Sequence, residues 1–274
     1  MNRWIIPNII AYAVTLVVNF LSQSGPVGGT QLFPYTVQEL ANSRAVLFFP
    51  ANYVFGIWGI IYTALGAYVI YQALPANRGS RAHAAIGPWF VISSAANSLW
   101  LVLFLNDWQA ASTIAMLALL ASLIVIYQRL GIGRAGVTTG ERWAVHFAFS
   151  VYLGWISVAT VANIATALVQ SGFVSSLLGV GAEWWTVGMM IVASALAMLM
   201  LWRRGDIAFA AVVVWALAGI FMRPFNTPVY ADLAPQALLL VQNAALLCAG
   251  LVLAALIARL FTGHGTHAPQ AAAA

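Results

Sequence analysis

The chain has 274 residues, of which 63% are hydrophobic and only 6% charged, against ~25% charged in an ordinary soluble domain. Its ionised set is eleven arginines, no lysine and six acidic side chains, for a formal net charge of +5. So little charge cannot cover a water-soluble globule of this size, and it excludes a soluble enzyme domain, a secreted disulfide scaffold and a nucleic-acid binder with a clustered basic face.

The expectation is an all-α, polytopic membrane helix bundle of about eight spans, each near the ~20 residues needed to cross the hydrocarbon core. The first runs from Trp4 to Phe20 behind Arg3; no small-x-small cleavage site follows it, so it is expected to remain rather than to act as a removed signal. Gly25 to Leu47 is the one sizeable polar connection, with a short surface helix expected at Val37 to Ala45. Span two is expected at Asn52 to Gln72, span three at Ile86 to Leu105 and, after a tight Asn106-Asp107 turn, span four at Trp108 to Tyr127. Span five covers Trp143 to Leu168 and span six Trp184 to Trp202. The sequence Arg203-Arg204-Gly205-Asp206 then turns directly into span seven, Ile207 to Met222. A loop with three prolines leads to span eight, Ala237 to Leu260, and to a tail expected to be disordered. The domain reading is 1–170, 171–262 and a tail at 263–274.

Arginines test this topology. With the N-terminus inside, Arg3, Arg78, Arg81, Arg129, Arg134, Arg142, Arg203, Arg204 and Arg259 fall on the inner side, and only Arg44 and Arg223 outside. That bias is the signature of cytoplasmic loops, so both termini are expected in the cytoplasm of an integral membrane protein. Tryptophans at span ends, such as Trp108, Trp143 and Trp202, read as the interfacial belt.

No Asp, Glu or Arg falls clearly at mid-span, which argues against a proton or cation pump and leaves no general acid, base or metal ligand inside the membrane. His146 reads as an interfacial histidine, and His264 and His267 in the tail make only a weak metal pair. Cys248 has no partner and reads as a small core residue, and without lysine no retinal Schiff base can form. What remains is neutral polarity among aromatics. Phe55, Trp58 and Tyr62 share one face of span two; Ser93, Asn97 and Trp100 share one of span three; Tyr152, Trp155, Ala159 and Asn163 share one of span five. Ordinary helix packing with amide cross-links would use such stripes, and so would a pocket for a flat apolar ligand.

The stretch Phe49-Pro50-Ala51-Asn52-Tyr53-Val54-Phe55-Gly56-Ile57-Trp58-Gly59-Ile60-Ile61-Tyr62, followed by Asn97-Ser98-Leu99-Trp100 and by Tyr152-Leu153-Gly154-Trp155-Ile156-Ser157-Val158-Ala159 with Asn163, resembles the TspO/MBR family of tryptophan-rich sensory proteins. The resemblance covers Trp4 to Leu168, with spans six to eight as a C-terminal extension expected to pack against the bundle. It implies a five-helix bundle, in a bacterial inner membrane, whose pocket opens toward the outer side and takes porphyrins or haem as ligands, with no cofactor required. Trp58, Asn97 and Trp155 would then contact ligand, Tyr62, Trp100 and Asn163 would shape the pocket, and Phe55 and Tyr152 complete the candidate set. The implied role is a receptor or carrier for a hydrophobic small molecule in the lipid bilayer, with no nucleic-acid partner and with homodimerisation left open. Two alternatives stay beside it: a transporter of neutral or amphipathic solutes, and an intramembrane enzyme acting on a bound pigment or lipid, for which no catalytic residue is visible.

Overall fold

The computed structural model describes residues 3–23, 33–173 and 176–262. The tail with its two histidines and residues 24–32 of the first connection lie outside the described residues. Helices dominate. α1 (Ile5–Gln23) is followed by a short α2 (Val37–Asn42), then by a 3-10 turn (Asn52–Gly56) leading into α3 (Ile57–Ala73). α4 (Arg81–Ile86), α5 (Trp89–Leu105) and α6 (Gln109–Leu130) come next. A one-turn α7 (Thr139–Glu141) passes through a π-helical turn (Arg142–His146) into α8 (Phe147–Gln170). A two-residue β1 (Ser176–Leu177) pairs antiparallel with β2 (Val180–Gly181), and α9 (Ala182–Arg204), α10 (Ile207–Phe221) and α11 (Pro235–Thr262) close the chain.

The protein is an all-α polytopic membrane bundle, and eight long apolar helices sit where eight spans are expected. Among the described residues, six are long and apolar enough to cross a bilayer. The other two, α5 and α10, have 17 and 15 residues, or roughly 25 and 22 Å at 1.5 Å per residue. Local chemistry sets these short limits. α5 starts at Trp89 rather than Ile86 because Gly87 takes a φ of +48° and Pro88 follows it. It stops at Asn106-Asp107, where Asp107 adopts a left-handed φ of +63° to turn the chain into α6. α9 ends on a left-handed Gly205 cap, and Asp206 at once caps α10 by accepting the Phe209 N–H at 3.0 Å.

α5 and α6 form an antiparallel hairpin against which α8 lies, while α1 packs on α3 and α5. α10 is wedged between α8 on one side and α9 and α11 on the other. The helices approach closely at glycines. A Cβ on Gly154 of α8 would stand 3.2 Å from Val212 Cβ and 3.3 Å from Phe209 O, both on α10. A Cβ on Gly219 of α10 would collide with Val54 Cγ2 and lie 2.9 Å from Pro50 Cβ. Gly219 also accepts the Ala51 N–H at 2.9 Å, so α10 docks directly on the chain that leads into α3.

α2 is the short helix expected at Val37 to Ala45, with Glu39 and Asn42 exposed and its apolar face packed inward. It is shorter, begins with a Thr36–Glu39 capping box, and buries Val37, Leu40 and Ala41. Both arginines at the arginine-poor end are engaged. Arg44 Nη2 meets both carboxylate oxygens of Asp107, at 2.6 and 2.5 Å. Arg223 is 4% exposed and donates to Pro50 O, Ala41 O and the Tyr230 hydroxyl at 2.8–2.9 Å.

Two outcomes follow from this packing. Gly219→Ala is expected to lower detergent-solubilised stability by about 1–3 kcal/mol through overpacking. Gly59→Ala, where a Cβ meets nothing within 4 Å, should be neutral or gain up to ~1 kcal/mol; thermal melts of the two variants check the contrast. Burial of the Asp107 carboxyl works to raise its pKa, but the bonds from Arg44 and Gln109 outweigh that and hold it below its ordinary value. Its contribution is therefore complete above the usual carboxylate range and is lost as pH falls through the lowered value. Asp107→Asn should melt below the parent at pH 7, with the gap closing in strong acid.

Candidate ligand-binding site

Trp58 is the centre of the aromatic cluster. It lies near-parallel to Tyr62, one turn along α3, with centroids 5.4 Å apart and 20° between planes, and near-parallel to Trp100 of α5 at 6.0 Å and 25°. Two rings of α8 meet it edge-on, Tyr152 at 6.1 Å and Trp155 at 6.3 Å. Phe55 meets Trp155 in the same T-shaped way at 6.0 Å. The stripes read from the sequence on spans two, three and five therefore do face one another, in geometries favoured by the ring quadrupoles.

Hydrogen bonds set the rings in place. Asn163 on α8 accepts the Trp100 indole N–H at 2.6 Å, and its own amide donates to Ser112 and Thr113 of α6 at 3.0 and 2.9 Å. One amide thus joins α5, α6 and α8 behind Trp100. On the other flank the Tyr62 hydroxyl donates to Asn19 Oδ1 at 2.6 Å, and Asn19 Nδ2 donates to Asn97 Oδ1 at 3.3 Å. Asn19 had no place in the sequence-derived set. The signal was present: Asn8, Tyr12, Thr15, Asn19 and Ser22 recur at four- and three-residue steps along α1, a polar seam facing the bundle.

Two hollows adjoin the cluster. The larger, about 360 Å³, lies between α1, α2, α3 and α5, and its wall includes Asn19, Gln38, Phe55, Trp58, Tyr62 and Trp100. The smaller, about 30 Å³, lies deeper and is lined by Trp155 and Asn163, with Phe55, Trp58 and Trp100 shared between the two. The larger has the size of a small-molecule pocket, whereas the smaller equals about one water's share of liquid volume. Phe55, Trp58 and Trp100 form the partition, so Trp155 stands behind it. Asn97 and Tyr152 line neither hollow. Asn97 is fully buried, one hydrogen bond removed from the larger space through Asn19. Among the described residues, the Asn97 Nδ2 and Trp155 Nε1 donors have no hydrogen-bond partner. Among the described residues, no Asp, Glu, Arg or His lines either hollow. The larger hollow can stack a flat apolar body against Trp58, while the Trp155 indole lines only the smaller one; among the described residues no cluster of His, Cys, Asp or Glu could hold a metal.

A family model described as TSPO-like protein matches residues 3–258. The match runs through α9, α10 and α11 as well as the first five long helices. No curated protein and no solved structure matches the chain.

The Asn163 junction gives a measurable outcome. Asn163→Ala leaves the buried Trp100 N–H without an acceptor, at a cost of about 1–3 kcal/mol. In a Trp100→Phe background the same change should cost clearly less, since the two residues act as a pair. Thermal unfolding of the four proteins in the cycle checks this; equal costs in both backgrounds would remove the assigned coupling.

Proposed function

The chain belongs to the TSPO-like protein family, which points to a membrane receptor or carrier, and from that premise we propose that it binds a flat hydrophobic ligand of the porphyrin class against Trp58. One observation carries the reading: the stacked face of Tyr62, Trp58 and Trp100 forms the wall of a hollow of about 360 Å³ that, among the described residues, no charged side chain lines. Burial of the ligand's faces supplies most of the affinity, and each well-formed ring contact adds roughly 0.5–1.5 kcal/mol. Trp155 and Asn97 enter in a second stage. Rotation of Trp58 or Phe55 joins the two hollows and brings the unpartnered Trp155 N–H within reach of a ligand edge, with the Asn97 amide next to it through Asn19.

In this reading the arginine-rich end faces the cytoplasm, since the two outward arginines are each held by internal partners and the other nine sit in the inner connections. The hollow, bounded by the end of α1 and by α2, then opens near the outer face.

A free-base porphyrin titrated into the purified protein, followed by its own Soret-band absorption, tests the site. Trp58→Ala is expected to weaken binding about tenfold, equivalent to ~1.4 kcal/mol. Asn97→Ala and Trp155→Ala should weaken it about threefold each. If all three variants bind as the parent does, the site lies elsewhere.

A further inference from the structure

A larger hollow lies at the opposite end, among the arginines. It measures about 750 Å³ and lies between the loop after α6, the π-helical turn before α8, the α9–α10 turn and the end of α11. Arg134, Arg142, Arg204 and Arg259 line it, against a single acid, Asp206. That acid is already committed: its carboxylate accepts the Tyr127 and Ser150 hydroxyls and the Phe209 N–H. Among the described residues, none of the four arginines makes an ion pair.

The walls are built rather than incidental. Arg204 Nη1 donates to Ile132 O at 3.1 Å, and its guanidinium carbon stands 5.6 Å from the Tyr127 ring centre. Gly133, at a φ of +77°, rests so closely on the backbone of Arg204 that a Cβ there would overlap it. Arg259 reaches back over the α9–α10 turn, with Nη2 3.5 Å from the Cβ position of Gly205. His146 lines the same space with 8% of its side chain exposed. Its Nε2 has no hydrogen-bond partner among the described residues and lies 4.0 Å from Glu141. Trp143, Phe147 and Ala208 supply apolar surface alongside.

Unpaired guanidinium groups gathered in one concavity repel one another and are drawn to an anion, and their forked donors match phosphate oxygens two at a time. We propose that this hollow binds a phosphate-bearing anion, held by Arg142, Arg204 and Arg259, with an apolar remainder against Trp143 and Phe147. At the membrane surface that chemistry has two sources, the headgroup of an anionic phospholipid or a soluble phosphate compound. The site uses α9, α10 and α11 and is separate from the aromatic hollow.

The full chain in a neutral detergent provides the test, with short-chain phosphatidylglycerol, short-chain phosphatidylcholine and inorganic phosphate as probes and native mass spectrometry as the readout. Phosphatidylglycerol is expected to bind at least tenfold more tightly than phosphatidylcholine. The Arg142→Gln/Arg259→Gln variant should lose that preference without a change in melting temperature, and Arg142→Lys/Arg259→Lys should recover part of it. Displacement of the lipid by inorganic phosphate assigns the site to soluble phosphates; no displacement assigns it to bilayer headgroups. The proposal is overturned if phosphatidylcholine binds as well as phosphatidylglycerol, or if Arg142→Gln/Arg259→Gln keeps the parent's preference.

Discussion

A polar group inside the bilayer has no water to turn to, so its partner must come from another part of the same protein. Most hydroxyls inside the helices return to a carbonyl of their own helix, as those of Thr15, Thr160 and Ser194 do, whereas buried amides join one helix to another. Asn163 alone ties α5, α6 and α8. Asn19 ties α1 to α3 and α5, and Asn8 links α1 to Tyr68 and Gln72 on α3. Without these ties the aromatic rings would have only dispersion to hold their orientation, since lipid chains are as apolar as the helices. Against that economy, the Trp155 indole N–H stands unpartnered on the wall of the smaller hollow, where a guest's acceptor would complete the pairing.

The same economy governs the two buried charges, which stand at opposite ends of α10. Asp206 caps its first turn and gathers hydroxyls from α6 and α8. Arg223, just past its last turn, draws in the carbonyls of Ala41 and Pro50 and the Tyr230 hydroxyl. A hydrogen bond to a charged group is worth about 1.5–3 kcal/mol, and several such bonds fix each end of this 15-residue helix to the earlier part of the chain. Between them, Trp215 donates to Val54 O at 3.2 Å and Gly219 accepts from Ala51. The segment that presents Phe55 and Trp58 is thus held from both sides, by the five-helix portion and by α10.

Much of this could be read in the residues themselves. Apolar runs and arginine bias gave the helices and their alternation, and four- and three-residue steps placed Trp58 with Tyr62, and Trp100 with Asn97. Spacing fixes which residues share a face of one helix, but not how far that helix is rotated against its neighbours. That is why Trp155 proves to stand behind Phe55 and Trp58, and why Asn97 and Tyr152 are packed outside both hollows. α1 hid its role differently. Its average apolarity suggested an ordinary span, while its single-file seam of Asn8, Tyr12, Thr15, Asn19 and Ser22 was the informative part. The inward packing of α2 rests on three residues, too few for any periodicity to be visible.

The grip of Arg223 on Ala41 and Pro50 reaches across 182 and 173 positions of sequence, and that sets an order of events during biogenesis. A ribosome that has delivered the first five long helices to the membrane has not yet made the residue that clasps the segment running from α2 to α3. The aromatic chamber is therefore finished late, when the seventh long helix inserts and its trailing guanidinium closes on carbonyls that have been waiting in the growing chain.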